Sequence, residues 1–106
     1  MDSVRARNTS LHGHEHETTP YLSELAEEAT VYEQARSPGT WSLPSHTSIF
    51  TGYHVVEHGI TRARNKLERG HTIFEELHGE GYTTGVFSEN TWITDMDCGL
   101  RDVFDT

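Results

Sequence analysis

The run Trp41-Ser42-Leu43-Pro44-Ser45-His46-Thr47-Ser48-Ile49-Phe50-Thr51-Gly52 sets hydroxyls and an imidazole beside a proline and a closing glycine. Pro44 suits the first turn of a helix and Gly52 suits its left-handed end, which places Ser42 just before the helix N-terminus. Backbone N–H groups without intrahelical partners and the helix dipole favour negative charge there. Ser42 therefore fits two roles: a nucleophile toward a phosphate or sulfate ester whose anion the amides hold, or a plain N-cap. His46, one turn further on, serves either as a general base or cationic contact, or as a structural cap.

Other reactive residue types are less well placed. His12, His14 and His16 alternate around Gly13 and Glu15 in a polar segment that reads as solvated rather than as a zinc site. His54 and His58 lie four apart, but Gly52 and Gly59 flank them and weaken a helical two-His ligand pair. Asp95, Asp97 and Asp102 lack the spacing and terminal Glu of a calcium loop and read as a hydrated face. Cys98 has no second cysteine and reads as a small packed residue. Asn90 suits a turn, or a bond to an anion.

The elements that must position these residues follow from local pattern. Thr19-Pro20 signals a helix entry, with the hydroxyl as cap, and Tyr21, Leu22, Leu25, Ala26 and Ala29 recur at helical spacing, predicting an amphipathic helix over 20–29. Residues 30–35 predict a short strand closed by Ser37-Pro38-Gly39, and a helix ends at Gly52. The stretch 53–70 reads as a solvated loop carrying Arg62, Arg64, Lys66 and Arg69. Residues 72–78 predict two helical turns, stopped near Gly79 to Gly81, and 82–87 predict a strand.

Composition limits what these elements can build. Leu, Ile, Val and Phe number 21 of 106 residues, near the edge at which chains stop packing, so a large enclosed pocket is not expected. Lys plus Arg total 8 against 17 Asp plus Glu, a formal charge of -9 that disfavours nucleic acid and anionic membranes as partners. Seven of the eight basic residues are Arg, a halophile-like balance. With one cysteine and no apolar run long enough for a signal peptide or membrane helix, the expected location is cytoplasmic.

Taken in order, Asp2-Ser3-Val4-Arg5-Ala6, Thr18-Thr19-Pro20-Tyr21-Leu22, Leu25-Ala26, Tyr32-Glu33-Gln34-Ala35, Ser42-Leu43-Pro44-Ser45-His46, Thr51-Gly52, His58-Gly59 and Gly81-Tyr82-Thr83-Thr84 resemble the N-terminal part of the sulfatase family. That family lies within the alkaline-phosphatase-like superfamily, and the resemblance spans almost the whole chain. It implies an α/β fold, here an N-terminal fragment of an alkaline-phosphatase-like α/β sandwich over 1–106. It also implies Ser42 at the nucleophile position, and Asp2 with Ser42 at a divalent metal (Ca2+, or Mg2+/Mn2+). The implied substrate is a small-molecule or carbohydrate sulfate or phosphate ester. A cation held there would acidify the hydroxyl and neutralise ester oxygens.

Several positions depart from the family pattern. Ser3 stands where many members carry a second Asp, which makes the metal site less negative. His46 replaces the motif Arg, so Ser42 is expected to remain an unmodified alcohol rather than become formylglycine. Ser88-Glu89-Asn90-Thr91-Trp92 stands in place of the Gly-Lys-Trp-His segment that helps to bind sulfate. The strand expected before Asp2 and the downstream Asp-Asn or Asp-His pair are not in this sequence, which predicts a partial domain with little activity alone. Two functions stay open: a piece of a sulfatase-like hydrolase, or a noncatalytic remnant or interaction module that keeps the fold pattern.

Overall fold

The computed structural model describes residues 3–106, and the backbone divides into two compact units, the first ending at Arg36 and the second spanning Ser37–Thr106. In the first unit, single 3-10 turns at Ala6–Asn8 and Ser10–His12 lead to helix α1, Pro20–Leu25. Hydroxyls hold these parts together. Buried Thr9 donates Oγ1 to the Ala6 carbonyl at 2.7 Å, and Thr18 donates Oγ1 to the Asn8 carbonyl at 2.6 Å. The Ser10 hydroxyl lies 3.0 Å from Thr19 Oγ1 and 3.2 Å from Ser23 Oγ. Thr19 does occupy the N-cap, but its side chain accepts from Ser10 N instead of capping the helix.

The predicted helix over 20–29 stops at Leu25. Tyr21 and Leu25 are 83% and 61% exposed, so no packed face rewards further turns, and Glu27 and Glu28 oppose the negative end of the helix dipole.

The second unit owns the apolar core. Helix α2, Ser42–Thr51, buries Leu43, Pro44, Thr47, Ser48 and Phe50, and ends on Gly52 at φ 73°. Three shorter helices contact α2 or neighbour it: α3, Val55–His58, within the stretch expected to be loop; α4, Ile73–Gly79; and α5, Thr91–Thr94. Leu43, Phe50, Ile60, Leu67, Cys98, Leu100 and Val103 form the centre. Phe50, Phe74 and Phe104 meet at ring separations of 4.8, 5.7 and 4.5 Å, a preferred aromatic spacing. A final 3-10 turn, Arg101–Val103, closes the chain onto this cluster.

The α/β sandwich expectation is overturned: the described residues are helical and contain neither strand nor sheet. In 30–35 the side chains are exposed and no backbone bond reaches a neighbouring segment, so β-prone residues have no ladder to join. The stretch 82–87 comes nearer. Thr106 N donates to the Thr84 carbonyl at 3.3 Å and Val86 N donates to the Thr106 carbonyl at 2.9 Å, the bond pair of a parallel bridge about Gly85. One bridge is too little to make a strand. Strand propensity is realised only through a partner.

Candidate functional site

The two catalytic residues expected from sequence share the start of α2. Trp41 is the N-cap in extended conformation, so Ser42 is the first helical residue rather than the one before it. Leu43 beside it is fully buried and pins this turn to the core. Trp41 packs edge-on against Trp92 at 5.0 Å, fixing the chain's entry into the helix.

His46 Nδ1 lies 2.9 Å from the Ser42 carbonyl oxygen, and its ring stands edge-on to Phe50 at 6.0 Å. A carbonyl can only accept, so Nδ1 carries the hydrogen of the neutral ring. The Nε2 lone pair is thereby left as the basic nitrogen. His46 is thus half-buried with a defined tautomer, which suits a base as a neutral ring and a cationic contact as a protonated one.

Two residues that the sequence reading passed over brace the same turn. Ser37 donates Oγ to the Gly39 carbonyl at 2.8 Å and lies 2.8 Å from Ser45 Oγ. Since the Ser37 proton is committed to Gly39, Ser45 is the donor between the two hydroxyls. A Cβ at Gly39 would sit 3.0 Å from Pro44 Cγ and from Ser45 N, so any larger residue would press the 37–40 turn against the start of α2, whereas glycine fits without displacement. The signal was present as Ser37-Pro38-Gly39 immediately before a helix start.

Other expectations sort themselves by geometry. Asp2, the implied metal carboxylate, lies outside the described residues. Among the described residues no three His, Cys, Asp or Glu side chains come together as a metal site. Those residues alone therefore do not make the oxygen cage a hard divalent cation needs. Asn90 takes the capping role, its side-chain oxygen accepting from Trp92 N at 3.1 Å at the start of α5. Cys98 is fully buried and donates its thiol to the Trp92 carbonyl at 2.9 Å, as a packed residue should. His14 Nδ1 lies 3.1 Å from the backbone N and O of His16, and His12 Nδ1 lies 3.0 Å from Thr9 Oγ1, so one ring nitrogen of each of these two histidines is engaged within the segment.

His58 forms a second serine–histidine pair that sequence did not reveal. Its Nε2 lies 3.0 Å from Ser48 Oγ, while Ile60 N donates to Nδ1 at 3.0 Å. The N–H from Ile60 forces the hydrogen onto Nε2, so this imidazole donates toward Ser48 and cannot take its proton. Burial pushes His58 below its ordinary value, outweighing the Pro44 backbone contact and the Glu57 charge. The pair is a structural clasp between α2 and α3. A groove of about 300 Å³ lies beside it, lined by Tyr53, Glu57, Lys66, Glu68 and His71 among others, and neither Ser42 nor His46 borders it.

Comparison with known proteins adds one positive finding. The sulfatase family model matches residues 1–104. No curated protein and no solved structure matches the chain. No helix among the described residues is long and apolar enough to cross a membrane.

Proposed function

Because the chain belongs to the sulfatase family, a family of hydrolases whose members act on sulfate esters and typically use a divalent metal, we propose that it supplies the nucleophile segment of a hydrolase cleaving a sulfate or phosphate ester. The observation that supports this is the position of Ser42 as the first residue of a ten-residue helix anchored by buried Leu43. In that reading Ser42 Oγ attacks the central sulfur or phosphorus, and the ester's alcohol leaves. The N-terminal amides of α2 face the charge that grows on the anion's oxygens. His46, its Nε2 basic because Nδ1 is held by the Ser42 carbonyl, takes a proton or, when protonated, steadies the anion. Asp2 and Ser42 are the residues proposed to meet the divalent metal, whose contribution is to acidify the hydroxyl and neutralise ester oxygens.

The test is release of the aryl alcohol from matched aryl sulfate and aryl phosphate esters, with Ca2+, Mg2+ or Mn2+ added. It is run on the natural protein that carries this chain. Ser42→Ala is expected to remove turnover while leaving the circular dichroism spectrum unchanged, and full turnover by that variant returns Ser42 to a helix-start residue. The preferred ester assigns sulfate or phosphate.

A further inference from the structure

The N-cap of α2 is an uncommon residue for its place. Ser, Thr, Asp and Asn lead there because a side-chain oxygen accepts from the first amides of the helix. The indole of Trp41 donates and cannot accept, and α2 has no side-chain cap bond. The Trp41 side chain thus takes none of the N–H groups at the start of the helix. It also forgoes the bond that ordinarily fixes the turn into a helix, so the direction in which the chain reaches Ser42 depends on what packs against the Trp41 ring.

Trp92 supplies that packing. The two rings meet at 5.0 Å with 80° between their planes, edge to face, an arrangement that sets orientation as well as distance. Trp92 is itself held on both sides of its backbone. Asn90 Oδ1 accepts from its N–H at 3.1 Å, and the buried Cys98 thiol donates to its carbonyl at 2.9 Å. Cys98 belongs to the apolar centre, both indoles pack against that centre, and Ile93 beside Trp92 is buried. A continuous line of contacts therefore runs from the core through Cys98 and Trp92 to the Trp41 ring and, across one peptide bond, to Ser42.

We propose that Trp92 is a positioning residue for Ser42, an inference that rests on the reading of Ser42 as the nucleophile. By holding the Trp41 ring, Trp92 sets the direction of the first turn of α2, and with it the place of Ser42 Oγ relative to the ester. Alignment of the attacking oxygen counts most in the transition state, where its bond to sulfur or phosphorus is forming. A loosened Trp41 therefore lowers kcat and leaves KM nearly unchanged.

The experiment measures kcat and KM for variants of the natural protein that carries this chain, on whichever of the aryl sulfate and aryl phosphate esters the unaltered protein turns over. Trp92→Leu keeps an apolar side chain and removes the aromatic edge; it is expected to lower kcat about a hundredfold, the scale of an ångström's misplacement, with KM within about threefold. Trp92→Phe restores an aromatic edge and is expected to regain most of that loss. Ile93→Val loosens the packing of the same short helix without altering either ring, and is expected to leave kcat unchanged. Trp41→Leu alone is expected to show the same split as Trp92→Leu, and decides the matter where Trp92→Leu does not fold. The double leucine variant is expected to lose no more than the worse single one, because one ring acts through the other. Unchanged kcat in the leucine variants overturns the proposal. So does an equal loss in Ile93→Val, a Phe variant as impaired as the Leu variant, or losses that multiply in the double variant. Ser42→Ala, run alongside, separates the two readings: no turnover by Ser42→Ala beside full kcat in Trp92→Leu removes the positioning role alone. Full turnover by Ser42→Ala, or turnover of neither ester by the unaltered protein, removes the nucleophile reading and this proposal with it.

Discussion

At Ser42 the helix that carries the residue was readable, to within one position of its start, because the signals that bound it are local. Pro44 and Gly52 bracket the helix, and the bond from His46 spans four residues. The replacement of the family's Arg by His46 predicts that Ser42 stays serine; peptide mass spectrometry of protein from its native host is expected to show no loss of the mass of two hydrogens at the Ser42 peptide, and such a loss refutes it. His46→Ala is expected to lower turnover of the preferred ester by about a hundredfold without abolishing it, the usual scale for one general acid or base. A steady-state assay with unchanged kcat sinks that role. The Ser48–His58 and His78–Asp105 contacts could not be read, since their partners are ten and 27 residues apart and meet only through packing. Glycines give a sharper structural contrast. Gly99 has φ +85° and a methyl there would overlap the Leu67 backbone, whereas Gly70 has φ +90° with nothing nearby. Gly99→Ala is expected to cost more than about 3 kcal/mol and Gly70→Ala about 1–2 kcal/mol, the cost of left-handed backbone alone. Denaturant melts of the two variants that coincide would show that the Leu67 contact carries no weight.

At the scale of elements, α1, α2 and α4 were legible, whereas the four-residue α3 and α5 and the extended segments were not. Helix α4 announced itself through the helical spacing within 72–78, and the structure adds a capping box that the pattern did not reveal: Glu75 N donates to Thr72 Oγ1 at 3.3 Å, and Thr72 N to Glu75 Oε2 at 3.1 Å. Helix α1 showed its start but not its end, because the end depended on packing that Tyr21 and Leu25 never find. The two expected strands failed for the same reason on a larger scale, since β structure needs a neighbour from elsewhere in the chain. The clasps that do join the elements of the second unit predict its acid sensitivity. His58 titrates below its ordinary value of 6.5 through burial, so the unfolded chain binds the extra proton first and stability falls as pH drops below 6.5. Partial burial would raise Glu75, but N–H bonds from Gly70, Thr72 and His71 and the Thr72 hydroxyl hold it below 4.5. Bonds from the Thr84 backbone, from His78 and from the Thr84 hydroxyl hold Asp105 below 3.8 against desolvation. Their stabilisation is complete above those ordinary values and is lost as pH falls through the lower folded ones. Denaturant midpoints measured across pH are therefore expected to decline in two stages, one beginning below 6.5 and one below 4.5. His58→Gln is expected to remove the first stage only. A variant that keeps the first stage assigns it to another group.

For the whole molecule, the two units differ in what can hold them. The second centres on seven buried apolar residues with four more packed against them, whereas the first buries Thr9 and no apolar side chain among its described residues. A hydroxyl network exchanges readily with water, and each such bond contributes only about 1 kcal/mol net, so the first unit should open at far lower free energy than the second. Sequence composition foretold a thin core, but not that nearly all of it would be gathered after Ser37, because composition carries no address. The charge of -9 burdens both units with self-repulsion in the compact state. Raising salt from 0.1 to 1 M shortens the screening length from about 10 Å to about 3 Å, which relieves that repulsion and strengthens apolar burial. Circular dichroism across a salt series is accordingly expected to show a broad, weak transition at low salt that sharpens and moves to higher temperature as salt rises. Amide exchange at high salt should then protect α2 and the Leu67 N–H, which donates to Cys98 O at 2.8 Å, while α1 exchanges orders of magnitude faster. Cooperative unfolding at low salt with no gain on adding salt, or equal protection in α1 and α2, contradicts this account: the thin core would then suffice unaided, and the hydroxyl network would hold as firmly as apolar packing.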